Sequence, residues 1–327
     1  MKLVIDDKIP YIRSYVERYG ACVFLPGKDI TAADVADADV LIVRTRTAVD
    51  ERLLAGSRVR LVLTATIGYD HLDIDYLYKA GITWHNCPGC NARSVAQYIG
   101  SVLPPVIPGM TLGLVGCGHV GKEVKALAES LGWRVLVSDP PLGLNDDITT
   151  CDVITYHVPL TFDGPYPTYH MAGDDFFRSL TRHPLIINCA RGGVVDEKAL
   201  LRAMDNGYVS DCVIDCWEGE PHISTELLQR ARIATPHIAG YSANGKATAS
   251  WMVLQALQEW CRLEGYDIPF DITQQSPLDI LTEALGGTLP SLPPYDARRD
   301  SDALKAAPEQ FEWYRGHYPL RLEEILD

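Results

Sequence analysis

Leu112-Gly-Leu-Val-Gly116-Cys-Gly118-His-Val-Gly121 runs from an apolar, strand-forming segment through three glycines into a helically patterned stretch. The Gly-x-Gly-x-x-Gly spacing at a strand-to-helix turn is the fingerprint of a dinucleotide-binding fold. The first glycine permits the tight turn and the second lets the backbone approach a pyrophosphate. The third lets helix and strand pack closely, with the helix N-terminus facing the phosphates. A second apolar strand, Arg134-Val-Leu-Val-Ser138, ends in Asp139, 18 residues past Gly121. An acid there accepts hydrogen bonds from both ribose hydroxyls and repels a 2′-phosphate. Pro140 and Pro141 follow it, with no arginine, so NAD is expected rather than NADP.

Outward from this turn the pattern alternates. Towards the N-terminus, 2–6, 21–25, 39–44, 60–64 and 82–85 read as short strands, with helices such as 11–19 and 73–79 between them. Towards the C-terminus come strands 111–116, 133–139, 152–157, 184–189 and 209–215, with helices 119–131, 173–181 and 196–206. Such alternation predicts an α/β chain with two parallel sheets. Leu103-Pro-Pro-Val-Ile-Pro108-Gly109 breaks a helix beginning near Asn91 and suits a crossing between domains. One long helix is expected at about 245–263, followed by a less regular tail that includes Leu289-Pro-Ser-Leu-Pro-Pro-Tyr295.

The chain has 327 residues, 47% hydrophobic, which suits two domains with sizeable cores. Its apolar runs are too short to span a membrane, and Met1-Lys-Leu-Val-Ile-Asp6 enters a strand directly rather than a secretory signal. Net charge is −14, from 29 basic and 43 acidic residues, which argues against nucleic acid or an anionic membrane as partner. Nine cysteines scattered through apolar segments read as reduced thiols of a cytoplasmic protein. Cys87-Pro-Gly-Cys90 is the one close pair. It reads as a Pro-Gly turn carrying thiols, with a redox couple or half a zinc site as alternatives. No metal is expected.

Three segments downstream of the fingerprint place useful side chains beside Gly or Pro. They are Asn188-Cys-Ala-Arg191-Gly-Gly193, Trp217-Glu-Gly-Glu220-Pro221 and Thr235-Pro-His237-Ile-Ala-Gly240. Removing hydride from a secondary alcohol requires a base for the hydroxyl proton and a cation for a neighbouring carboxylate. His237 has the appropriate ordinary pKa for the base, and Glu220 would orient it and favour its protonated form. Arg191 supplies a planar fork that matches a carboxylate. Singly, each has an ordinary structural reading. In this order after a nucleotide fingerprint, they point to acid/base-assisted hydride transfer.

The run from Gly116 to Gly240 resembles the D-isomer-specific 2-hydroxyacid dehydrogenases. The resemblance implies that Arg191, Glu220 and His237 are catalytic. It also implies that Gly116, Gly118, His119, Val120, Gly121, Asp139, Val158, Ala190, Asp215 and Gly240 line the NAD site. It implies two Rossmann-like/flavodoxin-like domains with an active-site cleft between them. The substrate domain would comprise 1–92 and 241–265, and the NAD domain 93–240. Residues 266–327 would form a short, truncated C-terminal extension of a dimerisation module, so a homodimer is expected.

Further motifs resemble the branch of that family that oxidises 4-phospho-D-erythronate on the way to vitamin B6. They include Val43-Arg-Thr-Arg-Thr47, Thr64-Ala-Thr66, Asp163-Gly-Pro-Tyr166 and Gly240-Tyr-Ser242. That resemblance assigns substrate contacts to Thr45, Thr66 and Tyr241. Arg44 and Arg46, two apart at a strand end, would share a face in extended geometry and hold a phosphate. His71 and Arg93 are further candidates for that anion. Open alternatives are a 3-phosphoglycerate, glyoxylate or hydroxypyruvate enzyme, a non-catalytic NAD-sensing protein, and redox signalling through Cys87 and Cys90.

Overall fold

Short runs of valine, isoleucine and leucine bounded by turn residues form the strands of the computed structural model, which describes residues 1–268 and 270–323. The chain divides into two compact units: Met1–Asn91 with Ser242–Leu292, and Ala92–Tyr241 with the segment that follows from Pro293.

In the first unit, β1 (Lys2–Asp6), β2 (Ala21–Leu25), β3 (Val40–Val43), β4 (Leu61–Thr64) and β5 (Thr83–His85) form one sheet. Their order is β2-β1-β3-β4-β5, and every pairing is parallel. β3 and β4 are buried along their whole length, as a parallel sheet covered on both faces requires. Side chains alternate between two cores. Leu3, Ile5, Ile42 and Leu63 pack with Val253, Leu254 and Leu257 of the long helix Ala243–Leu263. Val4, Leu41, Val43 and Val62 pack on the opposite face with Val35, Leu53 and Leu77. Ile272 and Ile280 join the core under the long helix.

β3 stops at Val43, one residue short of the expected 39–44, and this changes the reading of the arginine pair. Residues after Arg44 turn, with the Thr47 N–H donating to the Arg44 carbonyl at 3.2 Å. Arg44 and Arg46 therefore do not share the face of an extended strand. The Arg44 fork closes on the fully buried Asp6 of β1, Nε to Oδ2 at 3.0 Å and Nη2 to Oδ1 at 3.2 Å.

The second unit holds β6 (Thr111–Val115), β7 (Arg134–Asp139), β8 (Leu144–Asn145), β9 (Val153–Tyr156), β10 (Leu185–Asn188), β11 (Asp211–Ile214) and β12 (Ile233–Ala234). Their order is β12-β11-β10-β9-β6-β7-β8. All pairings are parallel except β7 with β8, an antiparallel two-residue edge strand that sequence reading missed together with β12. The order reverses direction at β6 and β9, and the crevice beyond the carboxyl ends of such strands is where α/β sheets take ligands.

Residues 266–327, expected as one extension, divide between the units. Residues 266–292 lie with the first unit and the described residues from Pro293 with the second. The cause is apolar burial: Ala297, Leu304 and Phe311 enter the cores on the two faces of the second sheet. Arg321, 5% exposed, fastens the end of this segment. It donates to Gln97 Oε1 at 2.9 Å, to the Ile238 carbonyl at 3.3 Å and to the Ser94 carbonyl, and it stacks 3.9 Å above the Tyr295 ring. Pro269 and the last four residues of the expected extension lie outside the described residues. Among the described residues no helix is long and apolar enough to cross a membrane.

Because Asp6 is fully buried, removing its partner leaves an uncompensated charge. Arg44→Ala is expected to destabilise the protein by about 3 kcal/mol in urea unfolding. A loss below about 1 kcal/mol would show that the Arg44–Asp6 pair does not hold the end of β3.

Candidate active site

In the second unit the three glycine- and proline-flanked segments meet. Asn188, at the end of β10, ties the first to the second. Its Nδ2 donates to the carbonyls of Arg191 at 3.0 Å and Cys216 at 3.2 Å, and its Oδ1 accepts from the Ala190 N–H at 3.1 Å. Gly192 runs against the second segment so closely that a Cβ there would lie 1.9 Å from the Trp217 carbonyl oxygen. Only glycine fits. The second and third segments are joined by Trp217 Nε1, which donates to the Thr235 carbonyl at 2.9 Å.

Asp215, 1% exposed, organises the third segment. Its Oδ1 accepts from Thr235 Oγ1 at 2.7 Å and the Ile238 N–H at 2.8 Å, and its Oδ2 from the Ala239 N–H at 3.0 Å. Burial raises its pKa, against the opposing pull of His237 and these hydrogen bonds. Asp215 thus grips the Thr235 side chain before His237 and the backbone after it. His237 itself adopts φ +56°, a left-handed conformation uncommon for a residue with a Cβ.

The His237 ring stands against Glu220. Nδ1 lies 3.0 Å from Oε1 and 2.9 Å from Oε2, and both side chains are largely buried. Oε1 also accepts the Trp217 N–H at 2.9 Å. Burial pushes the Glu220 carboxyl up, but the His237 hydrogen bond and charge, the Trp217 N–H and the Arg315 charge outweigh it and hold it below its ordinary value. Glu220 is therefore an ionised acceptor, which assigns the proton to Nδ1 and presents Nε2 as a base. Arg191, half-buried, donates from Nη1 to the Ala190 carbonyl at 2.8 Å.

The glycine turn fits a dinucleotide. Gly116 has φ +89°, and a Cβ there would lie 2.8 Å from the His157 carbonyl oxygen and from Val158 Cγ1. A Cβ on Gly121 would lie 2.1 Å from the Gly116 oxygen. At Gly118, the N-cap of the helix His119–Ser130, a Cβ would meet nothing within 4 Å. That open space over a helix N-terminus is what a pyrophosphate requires. His119 and Val120 form the first turn there. Asp139, at the end of β7, accepts the Cys117 N–H at 2.6 Å through Oδ2, so this acid is anchored to the glycine turn. Ala190 is buried beside Arg191, and Gly240 lies half-buried in the turn after His237.

In the first unit the expected substrate residues cluster at the ends of β3 and β4. Thr45 and Arg46 are exposed, whereas Arg44 is committed to Asp6. Thr66 Oγ1 donates to the Gly68 carbonyl at 2.8 Å and lies 2.6 Å from Thr64 Oγ1, which in turn lies 3.0 Å from His71 Nε2. His71, its pKa lowered by burial, thus acts through hydroxyls on Thr66. Lys246, on the long helix, was not foreseen. Burial lowers its pKa and the Arg44 charge lowers it further. Arg93 instead pairs with Glu123 at 3.8 Å in the second unit.

Other groups have structural explanations. His170 Nε2 lies 2.7 Å from Glu218 Oε1, which accepts, while its Nδ1 faces Asp196 at 3.7 Å. The two acids stand at opposite ring nitrogens, and single ligand atoms of His170, Asp196 and Glu218 all lie within 4.8 Å of one another. Cys87, 1% exposed, donates to the carbonyls of Thr64 and Ala249, and burial pushes its thiol up. All nine cysteines are free.

Residues 100–239 match the family model described as D-isomer specific 2-hydroxyacid dehydrogenase, NAD binding domain. The erythronate-4-phosphate dehydrogenase of Bacteroides fragilis is 48% identical over 99% of this chain and 97% of its own length. The enzyme of that name from Escherichia coli O7:K1 is 38% identical over 99% and 92%. Among solved structures, NAD-bound 3-phosphoglycerate dehydrogenase of Entamoeba histolytica has a TM-score of 0.66 at 28% identity, covering 79% of this chain and 94% of that one. D-lactate dehydrogenase of Aquifex aeolicus, complexed with NAD and lactic acid, has a TM-score of 0.65 at 21% identity, covering 83% and 100%, a likeness of fold.

Glu197 is a second buried acid beside the pair. Its pKa is raised to about 7 by burial and by the neighbouring Glu218, Glu220 and Asp196, against a hydrogen bond from the Glu218 N–H. Its folded pKa exceeds its unfolded one, so its contribution to stability is complete at low pH and is lost as pH rises through 7. Glu197→Gln keeps the acceptor without the charge. Relative to the unaltered protein, its unfolding free energy is expected to rise by about 1–2 kcal/mol between pH 5 and pH 8. Parallel stability curves in urea would refute this.

Proposed function

The chain belongs to the erythronate-4-phosphate dehydrogenases, a branch of the D-isomer-specific 2-hydroxyacid dehydrogenases, and from that premise we propose that it oxidises 4-phospho-D-erythronate to (R)-3-hydroxy-2-oxo-4-phosphooxybutanoate, a step towards pyridoxal 5′-phosphate. The observation that carries the reaction is the His237–Glu220 pair, with Nδ1 2.9 Å and 3.0 Å from the two carboxylate oxygens, in the unit that also bears Arg191 and the glycine turn.

His237 Nε2 is assigned the C2 hydroxyl proton. Glu220 keeps the ring in the tautomer that presents a lone pair there and stabilises the imidazolium that forms. Arg191 is assigned the substrate carboxylate and the forming carbonyl oxygen. Its Nη1 bond to the Ala190 carbonyl fixes the plane of the fork and leaves other N–H groups for the anion. NAD, when bound, accepts the hydride from C2. Gly116, Gly118, His119, Val120 and Gly121 are assigned its pyrophosphate, Asp139 its ribose hydroxyls, and Val158, Ala190, Asp215 and Gly240 the rest of its site.

Thr45, Thr66 and Tyr241 are assigned the substrate hydroxyls. For the phosphate, Arg46 is favoured over Arg44, whose fork is occupied by Asp6. The finer readings of a cytoplasmic homodimer rest on nine free thiols and on Phe162, Tyr166, Tyr169 and Met171, exposed together along one loop of the second unit.

In an NADH-absorbance assay with a panel of D-hydroxyacids, 4-phospho-D-erythronate is expected to be the best substrate. Superior turnover of 3-phosphoglycerate or glycerate would move the chain to another branch. NAD binding without oxidation of any hydroxyacid would favour a sensor. His237→Gln is expected to lower kcat by about 10²–10⁴-fold, and near-normal turnover would remove it from the mechanism. Arg46→Ala is expected to raise the KM for the phosphorylated substrate about tenfold or more, with a much smaller effect on its unphosphorylated analogue.

A further inference from the structure

The helix Phe311–Gly316, part of the second unit, carries Arg315 to the carboxylate that serves His237. Arg315 Nη1 lies 3.9 Å from Glu220 Oε2 and donates to Glu312 Oε1 at 3.0 Å. Its guanidinium carbon lies 6.0 Å from the centre of the Tyr241 ring, and its side chain is 20% exposed. Nε is buried and has no hydrogen-bond partner among the described residues.

Arg321, six residues on, shows what a purely structural arginine does in this segment. It spreads its fork over Gln97, Ile238 and Ser94 and covers a tyrosine ring. Arg315 does the opposite, leaving a buried N–H unmet while holding its charge beside Glu220 and Tyr241. Burial works against that charge, and the neighbouring Tyr241 and Glu220 favour it.

We infer that Arg315 is a positioning residue of the active site, acting on the reaction through Glu220 and Tyr241. The inference rests on the roles given above to His237, Glu220 and Tyr241. At 3.9 Å the arginine is too far from Glu220 to take a hydrogen bond, so both carboxylate oxygens stay with His237 and Oε1 also with the Trp217 N–H. Its charge nevertheless keeps a largely buried carboxylate ionised. His237 and the Arg315 cation face Glu220, while Glu197 and the Cys216 thiol adjoin it as acids. The same guanidinium lies against Tyr241, the residue assigned to a substrate hydroxyl. The C-terminal segment therefore reaches the chemistry directly.

The test compares Arg315→Met and Arg315→Lys in the full chain. The methionine variant is expected to lower kcat about tenfold or more while KM for NAD changes less than twofold. Lysine is expected to restore much of the loss, because the charge and not the fork faces Glu220. The second readout needs no substrate: ¹³C-carboxyl NMR titration of Glu220, assigned with Glu220→Gln. Its midpoint is expected to rise by about half a unit or more in the methionine variant and to return towards normal with lysine. Arg315→Gln replaces the methionine variant if that one does not fold. A kcat within twofold of normal, or an unmoved Glu220 midpoint, would overturn the inference whatever the melting temperature. If the unaltered enzyme does not oxidise 4-phospho-D-erythronate, the substrate reading fails, and the Glu220 titration still decides the role of Arg315.

Discussion

A single buried carboxylate holds the loop that carries His237 in shape. Asp215 sits at the end of β11 with 1% of its surface exposed, and it accepts from Thr235 and from the backbone on the far side of His237. A buried carboxylate is unfavourable unless its lone pairs are met. Here three N–H and O–H donors from the segment that carries the histidine meet them, with the Cys216 thiol a weaker fourth at 3.9 Å. Satisfying Asp215 and shaping residues 235–239 are therefore the same event. That coupling stabilises a left-handed conformation at His237, which on its own costs about 1 kcal/mol or more. The Thr235 hydroxyl extends the network to Tyr98, 2.7 Å away and fully buried, so the loop is referenced to the first helix of the second unit.

Once that loop is fixed, the other segments have little freedom. Trp217 reaches the Thr235 carbonyl through its indole, Gly192 slides beneath the Trp217 carbonyl, and Asn188 bonds across the two turns. The acid, the base and the arginine are brought together by backbone contacts more than by contacts with one another. This explains why each stands next to glycine or proline in the sequence.

Those local signals are the legible ones. Apolar runs of four to six residues gave the sheets, because a strand buried on both faces needs nothing else. Glycines at close approaches marked the turns, and His237 and Glu220 are paired as their chemistry suggested. What was not legible depends on partners distant in sequence. Nothing near Arg44 shows that Asp6, 38 residues earlier, will take its fork. Nothing in 266–327 shows that a leucine and a phenylalanine will send half of it to one unit while two isoleucines send the rest to the other. β8 and β12, two residues each, carry too little pattern to be seen. Arg315 had a visible neighbourhood, Phe311-Glu-Trp-Tyr-Arg315, but it reads as an interface remnant until the fold brings it to Glu220.

The net charge of −14 makes the placement of cations decisive. A phosphorylated hydroxyacid carries its negative charge at both ends, and the average field of this protein repels it. Local cations must therefore overcome the field where the substrate sits. Arg44 is neutralised by Asp6, yet its charge still depresses Lys246, itself half-buried. Arg315 is compensated at Glu312 and Glu220 and lends its charge to the acid rather than to the substrate. Among the described residues Arg191 bonds to the Ala190 carbonyl rather than to a carboxylate. The cations described here thus differ in setting: Arg44 and Arg315 stand against acids and bear on geometry and protonation, while Arg191 is bonded to a backbone carbonyl.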